Sequence, residues 1–248
     1  MKAMILAAGL GTRLRPLTSD RPKALVEVAG RTLLEITLSR LSSFGVRDAI
    51  INVHHFADMV LEYLKANNKF GMHIEISREE VLLDTGGGLK KAAWFFLEDS
   101  PHRKEPFILH NVDVLSTIDF RRMVQFHTEK QALATLAVQH RESSRLLLFD
   151  KDFRFRGRQA GRERQKETKE FAPGLQAMAF SGVHVISPRF LRMMEEEGAF
   201  SIIDSYLRLA ARGEKILAFC ADEYYWRDLG KPDDLKQAAE DLKQKVLI

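Results

Sequence analysis

The sequence predicts an α/β fold: a Rossmann-like mixed, mainly parallel central sheet flanked by helices, with antiparallel additions in the C-terminal half. Three observations predict it. Short apolar runs alternate with stretches of helical period through the first half of the chain. Past Ala132 that alternation gives way to closely spaced strands. The 248 residues, 45% of them hydrophobic, are enough to bury one large core, and no Pro/Gly/Ser-rich linker divides them. A single domain over 1–248 is expected.

Each element has its own signal. Ala3–Ala8 is a continuous apolar run ending at Gly9, which suits a strand buried on both faces. From Thr32 to Phe44 the apolar positions Leu33, Leu34, Leu38, Leu41 and Phe44 recur at helical spacing, and Gly45 stands where a helix would stop. Ala49–Val53 reads as a strand and the segment through Met59, Val60, Tyr63 and Leu64 as a helix. His73–Ile76 is a further strand, Gly86–Leu97 a helix and Pro106–Leu109 another strand. Such alternation implies parallel strands joined by crossover helices. Leu133–Gln139, Arg145–Phe149 and Met178–Ile186 then read as strands with little helix between them. Helices over Ser201–Arg212 and Lys231–Leu247 bracket short strands at Lys215–Phe219 and Tyr224–Arg227. The sequence shows no internal repeat.

Composition excludes several classes. No apolar run is of membrane-spanning length, and the N-terminus lacks the pattern of a secretory signal. Cys220 is the chain's one cysteine, so an intramolecular disulfide is impossible. Its place after Ile216–Phe219 reads as a buried strand thiol, and a reducing cytoplasm is the expected location. The formal charge is +4. Between Arg154 and Glu170 seven basic residues face three acidic ones, an excess equal to that of the whole chain. That stretch lacks interleaved aromatics and reads as a solvated insertion between strands, not a nucleic-acid surface.

Open parallel sheets bind ligands beyond the carboxyl ends of their strands, so the loop after the first strand is the place to look for function. It runs Leu6-Ala7-Ala8-Gly9-Leu10-Gly11-Thr12-Arg13-Leu14-Arg15-Pro16-Leu17-Thr18, with Pro22-Lys23 shortly after. Gly9 and Gly11 let backbone N–H groups turn toward an anion, and Arg13 and Lys23 add positive charge to that cradle. A dinucleotide fingerprint would need a third glycine where Leu14 stands, and a P-loop would need a terminal Gly-Lys-Ser/Thr. The histidines His54, His55, His110 and His127 have no zinc-ligand spacing.

Taken whole, Gly9-x-Gly11-Thr12-Arg13-x-x-Pro16-x-Thr18 with Pro22-Lys23 closely resembles the signature of the sugar-1-phosphate nucleotidylyltransferases. Glu27-Val28-Ala29-Gly30, Asp84-Thr85-Gly86-Gly87-Gly88, Phe180-Ser181-Gly182 and Trp226-Arg227-Asp228-Leu229-Gly230 extend the resemblance over nearly the whole chain, and length and motif order resemble the small bacterial members. It is weakest from about Gln139 to Leu175.

The resemblance implies transfer of a nucleotidyl group from a nucleoside triphosphate to a sugar 1-phosphate, dependent on Mg²⁺, with a nucleotide-binding part over about 1–130 and a sugar-binding, metal-completing part over about 131–248. It implies Leu6, Ala7, Ala8, Gly9, Gly11, Thr12, Arg13, Lys23, Gly86 and Gly87 as nucleotide-binding residues. Arg13, Lys23 and Asp113 become catalytic residues, Asp113 and Asp228 the metal ligands, and Asn52, Asp150 and Gly182 the sugar side. Glu79 and Glu80 stand near the second glycine loop, whose free N–H groups suit a nucleobase. Where the family usually has Asn-Gly-Asp this chain has Asn111-Val112-Asp113, which bears on the turn at the metal site. Family members are often homodimers, though no sequence feature marks such a surface here. Two other readings stay open: a sensing domain that binds nucleotide or nucleotide-sugar without turnover, and a cytidylyltransferase for a phosphorylated alcohol such as phosphocholine. Joint presence of the phosphate and metal residues favours an enzyme.

Overall fold

The computed structural model describes residues 1–97, 105–160 and 174–243. The N-terminal apolar run forms β1 (Lys2–Leu6), with Ala3, Met4 and Ile5 fully buried. A ribbon of β2 (Glu27–Val28) and β3 (Arg31–Thr32) leads into α1 (Leu33–Ser43). Thr32 caps that helix by accepting from the Glu35 N–H at 3.0 Å, satisfying a donor that a helix start leaves unpaired. β4 (Asp48–Val53), α2 (Ala57–Ala66) and β5 (His73–Arg78) follow, then α3 (Asp84–Lys91), α4 (Ala93–Leu97) and β6 (Phe107–Asn111).

The second half adds β7 (Val114–Ser116), α5 (Phe120–Glu129), β8 (Ala134–Gln139), β9 (Arg145–Phe149), β10 (Phe155–Ala160) and β11 (Gln176–Ile186). The chain continues through α6 (Arg189–Arg192), α7 (Ile202–Ala211), β12 (Ile216–Cys220), β13 (Trp226–Asp228) and α8 (Pro232–Lys243). No helix among the described residues is long and apolar enough to cross a membrane.

The main sheet has nine strands, ordered β10-β9-β11-β6-β1-β4-β5, with β8 pairing β11 and β12 off that path. β6, β1, β4 and β5 are parallel, so their carboxyl ends share one edge. β11 runs antiparallel against β6 and carries the change of direction into the C-terminal half. Two apolar cores sandwich the sheet: one joins β1 and β4 to α1 and α2, the other joins Met4, Leu109, Leu136 and Phe149 to Phe190 and Tyr206.

Three expectations need correction. The single helix expected over Gly86–Leu97 is two, because the chain turns at Ala92, whose N–H donates to Gly88 O while its carbonyl accepts from Phe95. The basic stretch begins as strand β10, not as a loop. Phe155 is buried there, Arg156 pairs with Asp150 at 2.7 Å and Arg158 with Asp204 at 3.1 Å; its continuation over 161–170 lies outside the described residues. Cys220 is exposed, because β12 leaves the core at its last residue.

Candidate active site

Beyond the carboxyl ends of the parallel strands lies a cleft of about 610 Å³, lined by residues that include Leu6, Ala7, Ala8, Gly9, Gly11, Thr12, Arg13, Lys23, Asn52 and Asp113. Its floor is the loop after β1. The Ala7 N–H donates to Asn52 Oδ1 at 2.8 Å, which ties the start of the loop to β4. Gly11 holds a left-handed φ of 64°, and a Cβ there would lie 3.0 Å from Thr18 and 3.1 Å from Lys23. Only glycine meets both demands. The Thr18 hydroxyl donates back to Gly11 O at 2.8 Å, closing the loop and presenting Lys23 to the cleft.

Lys23 is 8% exposed, and its ammonium forms an ion pair with the Asp113 carboxylate. Asp113 follows β6 through Asn111 and Val112. The Val112 N–H donates to Leu6 O at 3.1 Å and its side chain is buried, so valine fits this turn as a core residue. Asp228 reaches the same place from the far end of the chain. β13 pairs antiparallel with β7, Asp228 opposite Val114, and the Leu229 N–H donates to Asp113 O at 2.8 Å.

Asp228 Oδ1 accepts from the Gly230 N–H at 2.6 Å and lies 3.9 Å from Arg13 Nη2. Burial, and then the neighbouring Asp113 charge, raise the Asp228 carboxyl above the usual range. Two carboxylates and two cations thus converge at one end of the cleft. The carboxylates are hard oxygen donors on adjoining chain segments, a set that fits a divalent cation.

The opposite wall is built on Glu79, which is 2% exposed. Its Oε1 accepts from Asn52 Nδ2 at 2.7 Å and its Oε2 from the Leu83 N–H at 3.0 Å, joining the floor to the wall formed by Leu82, Asp84 and Thr85. Beneath the site, burial pushes the His110 imidazole down to about 4, so it is neutral. Its Nδ1 donates to Asn111 O at 2.7 Å.

Asp228 flanks the cleft lining beside Arg13 and Gly230, and four other expected residues stand apart from it. The Gly86 and Gly87 N–H groups are not free: both donate to Phe200 O, at 2.9 and 3.3 Å, and these buried glycines let α3 pack against the chain entering α7. Asp150 is occupied by its own turn, accepting from the Asp152 and Arg154 N–H groups, both at 2.9 Å, and from Arg156. Gly182 sits within β11 beside Val114 and Asn111, behind the turn that carries Asp113.

Sequence reasoning also missed the brace behind Asp228. The Arg141 guanidinium lies 3.6 Å from the centroid of the Trp226 ring and donates through Nη2 to Phe180 O at 2.7 Å. Trp226 Nε1 donates to Ser181 O at 2.8 Å. The tryptophan belonged to a motif, but a lone arginine past a strand carries no signal of its own.

A glycine-turned loop after the first strand of a parallel sheet, facing paired cations and carboxylates, defines an α/β nucleotide-binding transferase. Residues 2–245 match the family model described as nucleotidyl transferase, and the chain belongs to that family. It is 37% identical over 247 residues to the N-acetylmuramate alpha-1-phosphate uridylyltransferase of Caulobacter vibrioides, covering 96% of this chain and 95% of that protein. It is 30% identical to the mannose-1-phosphate guanyltransferase of Yarrowia lipolytica over 94% of this chain, and spans 62% of that longer protein. Among solved structures, HddC from Yersinia pseudotuberculosis complexed with GMP-PN superposes with a TM-score of 0.73 at 22% identity, covering 97% of this chain and 99% of the other. The UDP-glucose pyrophosphorylase from Acinetobacter baumanii gives 0.76 at 18% identity, with 99% and 98% covered. These two share the fold. The chain is an enzyme of the nucleotidyltransferase class.

Proposed function

We propose that this enzyme transfers a uridylyl group from UTP to a sugar 1-phosphate, giving a nucleotide-sugar and pyrophosphate, with Mg²⁺ as the metal. The observation that carries this reading is the convergence of Arg13, Lys23, Asp113 and Asp228 at one end of a cleft floored by the loop after β1. Uridine is favoured as the base because the uridylyltransferase relative matches almost end to end, whereas the guanyltransferase relative is much longer.

An acceptor phosphate oxygen attacks the α-phosphorus in line. One P–O bond forms and the bond to the β-phosphate oxygen breaks. Both reactants are anions, so the protein's main task is to bring negative charges together. Backbone N–H groups of the loop through Gly9 and Gly11 cradle the triphosphate, and Arg13 faces the leaving pyrophosphate. Lys23 is buried beside the loop and exchanges its contact with Asp113 for the α-phosphate. Asp113 and Asp228 would hold the divalent cation, which when bound supplies charge neutralisation to the phosphate oxygens. On this reading the chain is one domain.

The test is pyrophosphate release by the purified protein with Mg²⁺ across triphosphates crossed with sugar 1-phosphates. UTP with N-acetylmuramate α-1-phosphate is the first pair to try. Release is expected for at least one pair, and for UTP above the other triphosphates. Silence across the panel with folded protein would move the reading to a nucleotide-sensing domain.

A further inference from the structure

We propose that His140, Cys220 and Asp222 form a binding site for a thiophilic divalent cation of the Zn²⁺ class, separate from the carboxylate pair of the cleft. The parallel pairing of β8 and β12 sets Cys220 opposite Val138. Two residues further on, both strands have left the ladder side by side, so His140 and Asp222 still face one another. The His140 N–H donates to Asp222 Oδ1 at 2.7 Å, and the ring Nδ1 lies 2.6 Å from Oδ2. The Cys220 thiol donates to the same Oδ2 at 3.1 Å. The three ligand atoms lie within 4.8 Å of one another and all three residues are exposed, so an ion reaches them directly from solvent.

The donor set selects the metal. Sulfur and imidazole nitrogen favour Zn²⁺ and its neighbours over Mg²⁺, whereas Asp113 and Asp228 offer oxygen alone. Ligand bonds of ~2.0–2.3 Å at tetrahedral angles set donors roughly 3.3–3.8 Å apart, so an ion enters once the His140–Asp222 contact opens by about 1 Å, with water completing the fourth position. The His140 N–H already fixes Asp222, the kind of outer contact that orients a ligating carboxylate. On binding, the thiol proton leaves to solvent and the imidazole gives up the Nδ1 proton that faces Asp222 Oδ2, carrying its proton on Nε2 instead, so that Nδ1 is free for the ion.

The site adjoins the brace of β13. Gln139 donates to Ala221 O at 2.8 Å and to Tyr224 O at 2.9 Å, and Arg141 stacks on Trp226. An ion at His140 would therefore stiffen the segment that carries Asp228. A serine at 220 could keep the hydrogen bond to Asp222, so only a soft metal makes use of the thiol.

The chain has one cysteine, so a thiolate-to-cobalt charge-transfer band in a Co²⁺ titration of the reduced protein reports on this site alone. One Co²⁺ per chain with that band is expected in the wild type and in Asp113→Asn. Zn²⁺ should displace it, and Zn²⁺ should raise the Tm of the wild type but not of Cys220→Ser. His140→Ala and Asp222→Asn should each weaken binding at least tenfold, and Cys220→Ser should lose the band while keeping nucleotidyl transfer. Three results would overturn the proposal: no band in folded wild type, a band that His140→Ala and Asp222→Asn leave at full strength, or one ion per two chains.

Discussion

Gly230→Ala is expected to remove activity without loosening the fold. A Cβ at this position would stand 2.4 Å from Asp228 Oδ1 and 2.5 Å from Arg13 Nη2, where ordinary contact begins near 3.4 Å. Both groups must therefore retreat by about 1 Å, and misplacing a positioning group by ~1 Å costs on the order of 10²-fold in rate. That corresponds to ~2.7 kcal/mol of barrier. Gly230 is not among the residues with a left-handed φ, so alanine brings no backbone strain there and trims the entropy of the unfolded chain. The assay pairs kcat for pyrophosphate release with the urea midpoint. A fall of roughly two orders of magnitude with an unchanged or slightly raised midpoint is expected. A kcat within threefold of wild type would refute the placement of Arg13 and Asp228 in the reacting geometry.

Other perturbations separate the parts of the account. Asp113→Ala should abolish turnover with the circular dichroism spectrum intact; near-wild-type rates would show that the metal has been misplaced. Arg141→Met should lower kcat about tenfold, since a desolvated cation–π contact is worth ~2 kcal/mol and part of that loss is relaxed by movement of β13. Arg141→Lys should restore only part of it, because an ammonium lacks the planar face that covers Trp226; full rescue by lysine would contradict a stacking role. Stability should fall on acidification. Burial holds His127 neutral down to about 4, against an ordinary imidazole value of 6.5, so the unfolded chain binds the proton first. The stabilisation is complete above 6.5 and is lost as pH drops toward 4, by roughly 3 kcal/mol at full extent. Urea midpoints at neutral pH and in mild acid, compared with His127→Gln, measure it, and equal pH slopes in the two proteins would remove His127 as the source.

The parallel half of the fold was legible because β1 and β4 are covered on both faces and so read as apolar runs, Ala3–Ile5 and Ala49–Ile51. α5 escaped because only Phe120, Met123 and His127 are buried along it, and a histidine does not register as an apolar position. β10 was hidden by its arginines, which pair with Asp150 across the preceding turn and with Asp204 on α7. Within the cleft the glycine loop declared itself through local spacing. Contacts between distant segments did not: the Phe200 carbonyl that occupies the Gly86 and Gly87 N–H groups is 114 residues from Gly86, and no local pattern encodes it. The meeting of His140 with Asp222 depends on the β8–β12 pairing in the same way.

The most direct test is a crystal grown with Mg²⁺ and a non-hydrolysable UTP analogue. The account predicts triphosphate oxygens on the backbone of the Gly9–Gly11 loop and against Arg13, with Lys23 turned from Asp113 to the α-phosphate and the ion between Asp113 and Asp228. Phosphates bound away from Lys23, or an ion held by neither carboxylate, would contradict it.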